Sequence, residues 1–173
     1  MSAARLLMTA LLVSILLAGC GFHLRGTQSL PEDANYVVIR SVEPHAPLAR
    51  SLDKRLEVYD IEGGSNYPTE AQQSFVVIEL LPEQLERRLL SVFSTGQVAE
   101  YELIFGVRYK VTFPGQQPIP AYFEILRDYQ DDPDQVLAKS RELDLVLDEM
   151  RREAADRIIR RLPSQATQTV PVQ

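Results

Sequence analysis

Thirteen consecutive residues decide how this chain folds: Tyr101-Glu102-Leu103-Ile104-Phe105-Gly106-Val107-Arg108-Tyr109-Lys110-Val111-Thr112-Phe113. Every odd position is apolar, and the even positions are mostly polar, with Ile104 and Gly106 the exceptions. A period of two sustained this long describes a strand with one face in a core and the other facing out. Immediately upstream, Ser94-Thr95-Gly96-Gln97 has the composition of a turn, so Leu85 to Phe93 and Val98 to Phe113 are expected to form a long hairpin. Pro114-Gly115 and Pro118-Ile119-Pro120 end the long strand, and Tyr122 to Tyr129, with Phe123 and Ile125 apolar between Glu124 and Asp128, reads as another.

Working back toward the N-terminus, Phe75-Val76-Val77-Ile78 reads as a strand that continues past Pro82, whose missing N–H marks an edge or a bulge. Tyr36-Val37-Val38-Ile39 reads as the first strand. Between them, Pro47 fits the first turn of a helix carrying Leu48, Leu52, Leu56 and Tyr59 as one apolar stripe, ending by Gly63-Gly64. A second helix is expected from Pro133 to Leu162, with Asp132 as N-cap and Gln135 completing a capping box. Its stripe is Leu143, Leu147, Met150, Ala154 and Ile158, and Pro163 should stop it. Thirty helical residues span roughly 45 Å. The expected fold is α+β, a mixed sheet of about four strands with both helices packed on one face, leaving Glu102, Arg108, Lys110 and Glu124 on the other. Residues 164–173 have no apolar period and are expected to form a mobile tail.

The chain has 173 residues, 45% hydrophobic and 24% charged, with a formal net charge of −6, the composition of one globular domain. An acidic balance without a lysine-rich arm argues against nucleic acid as a partner. The single cysteine excludes a disulfide framework and a cysteine-based zinc site. That cysteine sits at an informative place. Met1 to Gly19 reads as a secretory signal, with Arg5 as the positive region and Leu6 to Leu17 broken only by Thr9 and Ser14. Leu17-Ala18-Gly19-Cys20 resembles the bacterial lipobox, in which the cysteine is acylated and the segment before it removed. Cleavage would start a single domain of residues 20–163 at Cys20, which would carry S-diacylglycerol and N-acyl (palmitate-type) chains. More than one acyl chain is needed for stable anchoring. Gly21 stands where lipoproteins retained at the inner membrane carry Asp, so the periplasmic face of the outer membrane is expected.

Catalysis finds little support. His23 and His45 lie in loop-like segments without a partner at metal-binding spacing, no phosphate-binding glycine loop or nucleophile elbow is present, and no metal is expected. Glu100 and Glu102 occupy the polar phase of a strand, and no other cofactor is implied. Basic side chains remain: Arg87 and Arg88 on one hairpin arm, Arg108 and Lys110 on the other, Lys139 and Arg141 early in the long helix. Guanidinium and ammonium groups suit phosphate, against the simpler reading of a solvated, charge-mixed surface. Arg151, Arg152, Arg157, Arg160 and Arg161 read as structural, complementing the C-terminal end of the helix dipole.

The run Cys20-Gly21-Phe22-His23-Leu24-Arg25-Gly26 resembles the opening of mature lipopolysaccharide-assembly lipoproteins of the LptE family. Pro47-Leu48-Ala49-Arg50, Gly96-Gln97-Val98-Ala99-Glu100-Tyr101, Ala138-Lys139 and Ile159-Arg160-Arg161-Leu162-Pro163 resemble further family segments in the same order. The resemblance implies a non-enzymatic subunit of the lipopolysaccharide translocon. It would pair one-to-one with the outer-membrane barrel LptD, sit largely inside that barrel's lumen, assist its assembly and help lipopolysaccharide reach the outer leaflet. Lys139 matches a lysine of the family's Ala-Lys segment and is the first candidate for contact with lipopolysaccharide phosphates, with Arg108 and Lys110 behind it. Some relatives carry a basic residue in the turn where this chain has Ser94-Thr95, which puts phosphate contact there in doubt. The alternative is an outer-membrane lipoprotein that binds another glycolipid or envelope partner without a barrel.

Overall fold

A computed structural model describes residues 30, 34–68, 74–132 and 134–167. The signal segment, Cys20, Gly21, His23 and residues 168–173 lie outside the described residues. The elements run β1 (Tyr36–Ser41), α1 (Pro47–Val58), β2 (Gly63–Gly64), β3 (Phe75–Leu80), β4 (Gln84–Val92), β5 (Val98–Thr112), β6 (Ile119–Gln130) and α2 (Val136–Ala166).

β5, the strand with the period of two, is the spine of one mixed sheet. β6 runs antiparallel along one of its edges, from Glu100 opposite Gln130 to Val111 opposite Ile119. Its other edge is shared end to end by β4, from Val92 opposite Val98 to Gln84 opposite Gly106, and by β3, from Leu80 opposite Tyr109 to Val77 opposite Thr112. β1 adds to β3 in parallel, and β2 adds to β1 in parallel. The sheet therefore has six strands rather than about four. One addition is the Gly63–Gly64 pair, read from the sequence only as a helix stop. The other comes from the division of one long strand at Pro82. Between Leu80 and Gln84 the chain advances one residue more than β5 does between Tyr109 and Gly106, which is a bulge, and the Leu81 N–H still reaches the Arg108 carbonyl at 3.0 Å. A proline is tolerated there because a bulge leaves one residue unpaired.

Gly63 can serve as a strand because it lacks a side chain. A Cβ on it would lie 2.7 Å from both the Val37 carbonyl oxygen and Leu56 Cδ1. The close approach lets Val37 donate to the Glu62 carbonyl at 2.9 Å and closes part of the β1 edge.

The odd positions Leu103, Phe105, Val107, Tyr109, Val111 and Phe113 are all buried, and they share one core with Ile78, Leu80, Phe123 and Ile125 of the neighbouring strands. Leu48, Leu52 and Leu56 of α1 and Met150, Ala154, Ile158 and Leu162 of α2 cover that face, so both helices lie on the same side as expected. Leu143 and Leu147, the first members of the α2 stripe, are only partly buried. The core thus ends before the helix does. The two helices are joined by Arg55 Nε donating to Asp156 Oδ1 at 2.5 Å and Arg160 Nη1 donating to the Tyr59 hydroxyl at 3.3 Å.

Both ends of α2 differ from the sequence reading. The N-cap is Gln135, not Asp132. Asp132 instead closes a turn just ahead of the helix: its Oδ1 accepts the Asp134 N–H at 3.0 Å, and its Oδ2 accepts from the Gln135 side chain at 2.7 Å. At the other end the helix runs through Pro163 to Ala166, so Ser164 to Ala166 of the expected tail are helical. Contacts on both sides of the proline hold this turn. Leu162 and Gln165 are buried, the Tyr109 hydroxyl donates to Gln165 Oε1 at 3.4 Å, and Ser164 Oγ donates to the Arg161 carbonyl at 2.8 Å. A side-chain hydroxyl thus supplies a donor to the last turn, where the ladder is incomplete. Because the helix ends later, none of the five arginines lies in its final turn. Four of them make specific contacts instead: Arg151 with Glu83, Arg157 with Glu153, Arg160 with Tyr59 and Arg161 over the Phe123 ring.

Candidate functional site

The hairpin turn, the end of β6 and the start of α2 meet at one pole of the molecule. The turn is closed by Phe93 N–H donating to the Gln97 carbonyl at 2.8 Å and Gly96 N–H to the Phe93 carbonyl at 2.9 Å. Gly96 has φ of +86°, a left-handed conformation that a residue with a Cβ adopts only under strain. Ser94 and Thr95 sit exposed at the tip. Behind them, Ser91 Oγ donates to Glu100 Oε2 at 2.9 Å across the ladder.

Lys139 lies in the first turn of α2 over the helix-side row of the sheet. Its ammonium is 2.9 Å from Glu142 Oε2 and 5.4 Å from the centre of the Tyr129 ring. The Tyr129 hydroxyl donates to the Lys139 carbonyl at 2.5 Å, fixing the helix start against β6. The hydrogen bond that Lys139 donates to Glu142 is the chief reason its pKa lies above the ordinary value, so the ammonium stays charged. Tyr129 is raised as well, mainly by burial and then by the Glu142 charge. Lys139 is therefore a positive group already engaged by an exposed carboxylate. Any other anion approaching Lys139 would have to displace or share Glu142, whose side chain is half exposed while that of the lysine is 19% exposed.

Arg108 and Lys110 stand elsewhere. They are even positions of β5 and face away from the helices. Lys110 is directly opposite Glu79 on β3, with a separation of 3.8 Å between charged atoms. Arg108 is exposed and lies opposite Tyr122 of β6. Tyr122 donates to Glu124 Oε1, which raises the tyrosine pKa. The structure thus divides the three cations between two faces of the sheet. Lys139 belongs to the hairpin pole on the helix side, and Arg108 and Lys110 belong to the charged outer face.

Two groups near Lys139 matter more than the sequence suggests. Tyr129 was legible only as a strand residue, because its bond to α2 joins elements that meet only in the folded chain. Glu142 was accessible from the helical spacing of three, which places it beside Lys139. Arg88 is engaged by Glu102, the residue directly opposite it. His45 lies in an open cleft of about 430 Å³ lined by Arg40, Arg50 and Asp53, with its backbone at a φ of 59° and its carbonyl accepting from Arg50. Among the described residues there is no group of three or more His, Cys, Asp or Glu placed to hold a metal, and no helix long and apolar enough to cross a membrane.

A family model described as LptE, lipopolysaccharide-assembly, matches residues 34–162. The chain is 33% identical over 151 residues to a protein of Pectobacterium atrosepticum named LPS-assembly lipoprotein LptE, covering 87% of this chain and 80% of that one. A protein of the same name from Photorhabdus laumondii is 33% identical over 155 residues, covering 87% and 81%. Among solved structures, the rare lipoprotein B of Shewanella oneidensis is similar at a TM-score of 0.65 and 39% identity, covering 78% of this chain and 98% of that one. A lipoprotein B of Nitrosomonas europaea has the same TM-score at 22% identity, covering 85% and 93%, and shares the fold. With the family match spanning every element from β1 to the buried part of α2, the chain belongs to the LptE family of lipopolysaccharide-assembly proteins.

Proposed function

We propose that this protein is a non-enzymatic subunit of the lipopolysaccharide translocon, anchored on the periplasmic side of the outer membrane by acyl chains on Cys20. It occupies the lumen of an LptD-type barrel in one-to-one ratio, assists that barrel's assembly and contacts lipopolysaccharide on its way to the outer leaflet. Family membership over residues 34–162 is the observation that carries this reading. Its physical requirements are compatible with it. A domain of this size has a radius of gyration of roughly 15 Å and fits only a very wide barrel. Barrel lumens are polar, which suits an outer sheet face carrying Glu102, Arg108, Lys110 and Glu124. Lys139 is the first candidate for phosphate contact, with Arg108 and Lys110 as separate candidates on the other face.

The test is detergent extraction of the lipidated protein from outer membranes, followed by mass spectrometry of what accompanies it. A large outer-membrane barrel at equal stoichiometry and a diacylglyceryl-modified, N-acylated Cys20 are expected. Recovery without a barrel, or from the inner membrane, overturns the reading.

A further inference from the structure

The sheet has three lateral edges, and they are treated differently. β1 is covered over Val37 and Val38 by β2. β6 carries Pro120, which has no N–H to offer, and the Arg157 guanidinium donates to its Glu124 carbonyl at 3.0 Å. β4 has neither device. Its nine residues contain no proline, and all except Ser91 are exposed. Large apolar side chains are among them, with Leu89 at 54%, Leu90 at 48% and Val92 at 53% exposure, and Phe93 follows at the turn. The ladder to β5 is regular from Gln84 to Leu89 and shifts register beyond it, so the open stretch is Gln84 to Leu89, where charged and apolar side chains mix, and an uncovered edge of this kind is a template for another strand.

Charge distinguishes the two faces of β4. On the face away from the helices, Arg88 is neutralised by Glu102 directly across the ladder. On the helix side the row is Leu85, Arg87 and Leu89, opposite Phe105, Leu103 and Tyr101. Among the described residues Arg87 meets no carboxylate at ion-pair distance, whereas Arg127, on the far side of the same Leu103, is held by Glu153 at 2.7 Å. The row therefore presents apolar, cationic, apolar, and its complement is apolar, acidic, apolar on an extended chain. Cross-strand pairs of that kind stabilise sheets, while like charges opposite one another oppose pairing.

We infer that the β4 edge is a strand-pairing site for an extended segment of the barrel protein, with apolar residues opposite Leu85 and Leu89 and an acidic residue opposite Arg87. This rests on the barrel partnership proposed above and adds the surface and the mode, which is backbone hydrogen bonding along an open edge with side-chain pockets setting the register.

The experiment is residue-resolved amide hydrogen exchange on the full lipidated chain, free in detergent and in its one-to-one complex with the barrel, together with complex yields for Arg87→Glu and Arg87→Lys. Pairing slows alternate amides between Gln84 and Leu89, the regular part of the ladder, by about tenfold or more, because only outward N–H groups gain partners. Arg87→Glu lowers the yield about fivefold or more while Arg87→Lys stays near the parent chain. An intact complex in which β4 amides exchange at their free rates, or an undiminished yield from Arg87→Glu, overturns the pairing and leaves the barrel partnership standing. Concentration-dependent protection of β4 without the barrel assigns the edge to a second copy and overturns it too. Failure of the parent chain to form the complex overturns both.

Discussion

The Glu83 carboxylate accepts from Arg151 of α2 through both Nε and Nη2, each at 3.1 Å, with the two side chains 17% and 19% exposed. Its other oxygen accepts the Leu48 N–H at 2.7 Å. Residue 46, where a helix usually places a capping side chain, is alanine and offers none. A carboxylate from the bulge after Pro82 therefore caps α1 and ties α2 to it at the same time. Residues 35 and 68 positions away are joined through one side chain.

Glu83→Ala removes the cap and leaves the largely buried Arg151 guanidinium with only the exposed Asp148 carboxylate at 3.0 Å, so it is expected to destabilise the fold by about 2 kcal/mol. Glu83→Gln keeps an acceptor for Leu48 and should cost about 1 kcal/mol. Urea unfolding of both variants checks the order. Equal midpoints for Glu83→Ala and the parent chain would remove the bridging role.

In the phosphate contact proposed above, Glu142 would compete with the incoming phosphate for the Lys139 ammonium. Lys139→Glu is expected to weaken lipopolysaccharide binding about fivefold or more with the fold intact and the thermal transition only slightly lowered by the like-charge pair with Glu142, and Glu142→Gln to strengthen it about twofold. The lysine pKa is raised from an already alkaline value, so Lys139 should add no pH dependence to binding between about pH 6 and 9 beyond that of the phosphate itself. Titration with a fluorescent lipopolysaccharide measures all three. If Lys139→Glu binds like the parent, Lys139 is only a solvated partner of Glu142.

Tyr109 is buried, and burial is the main reason its pKa lies above the ordinary 10.0. An unfolded tyrosine loses its proton near that value while Tyr109 keeps it, so over this range the folded state binds more protons. Stability from this source is fully present below about pH 10 and falls as pH rises toward the folded pKa. Tyr109→Phe loses only the long 3.4 Å contact with Gln165, at a cost of about 1 kcal/mol or less at neutral pH. Its stability should decline less between about pH 9 and 11 than that of the parent chain. Parallel declines in urea midpoint for the two proteins would contradict this assignment.

Gly63→Ala forces a methyl group into the Val37 carbonyl and Leu56. The expected cost is about 2 kcal/mol, by the mechanism of overpacking. Gly64 has only ordinary contacts, at 3.5 Å or more, around the same position. Gly64→Ala is thus the internal control, and a thermal shift equal for the two variants would show that β2 is not held by close approach.

Periodicity alone carried much of the architecture. The alternation from Tyr101 to Phe113 specified which β5 side chains are buried, because a period of two leaves one face for the core whatever that core contains. Leu48, Leu52 and Leu56 specified the buried side of α1 in the same way, and the missing N–H of Pro82 located the bulge. The family was legible as well, from short ordered segments distributed along the chain. Lys139 could be named, but not its state.

What tertiary structure decided were features that depend on partners distant in sequence. Gly63–Gly64 became a strand because Val37 lay within reach of a backbone without side chains. The α2 helix continued past Pro163 because Leu162 and Gln165 had a core and Tyr109 to engage, which local propensity does not register. The cap of α1 came from Glu83, and the separation of Lys139 from Arg108 and Lys110 followed from which face of the sheet the long helix covers. Local pattern determines which side of an element is apolar. Only the packing of elements determines which charges are then paired, which edge is left open, and where a chain that should stop has reason to continue.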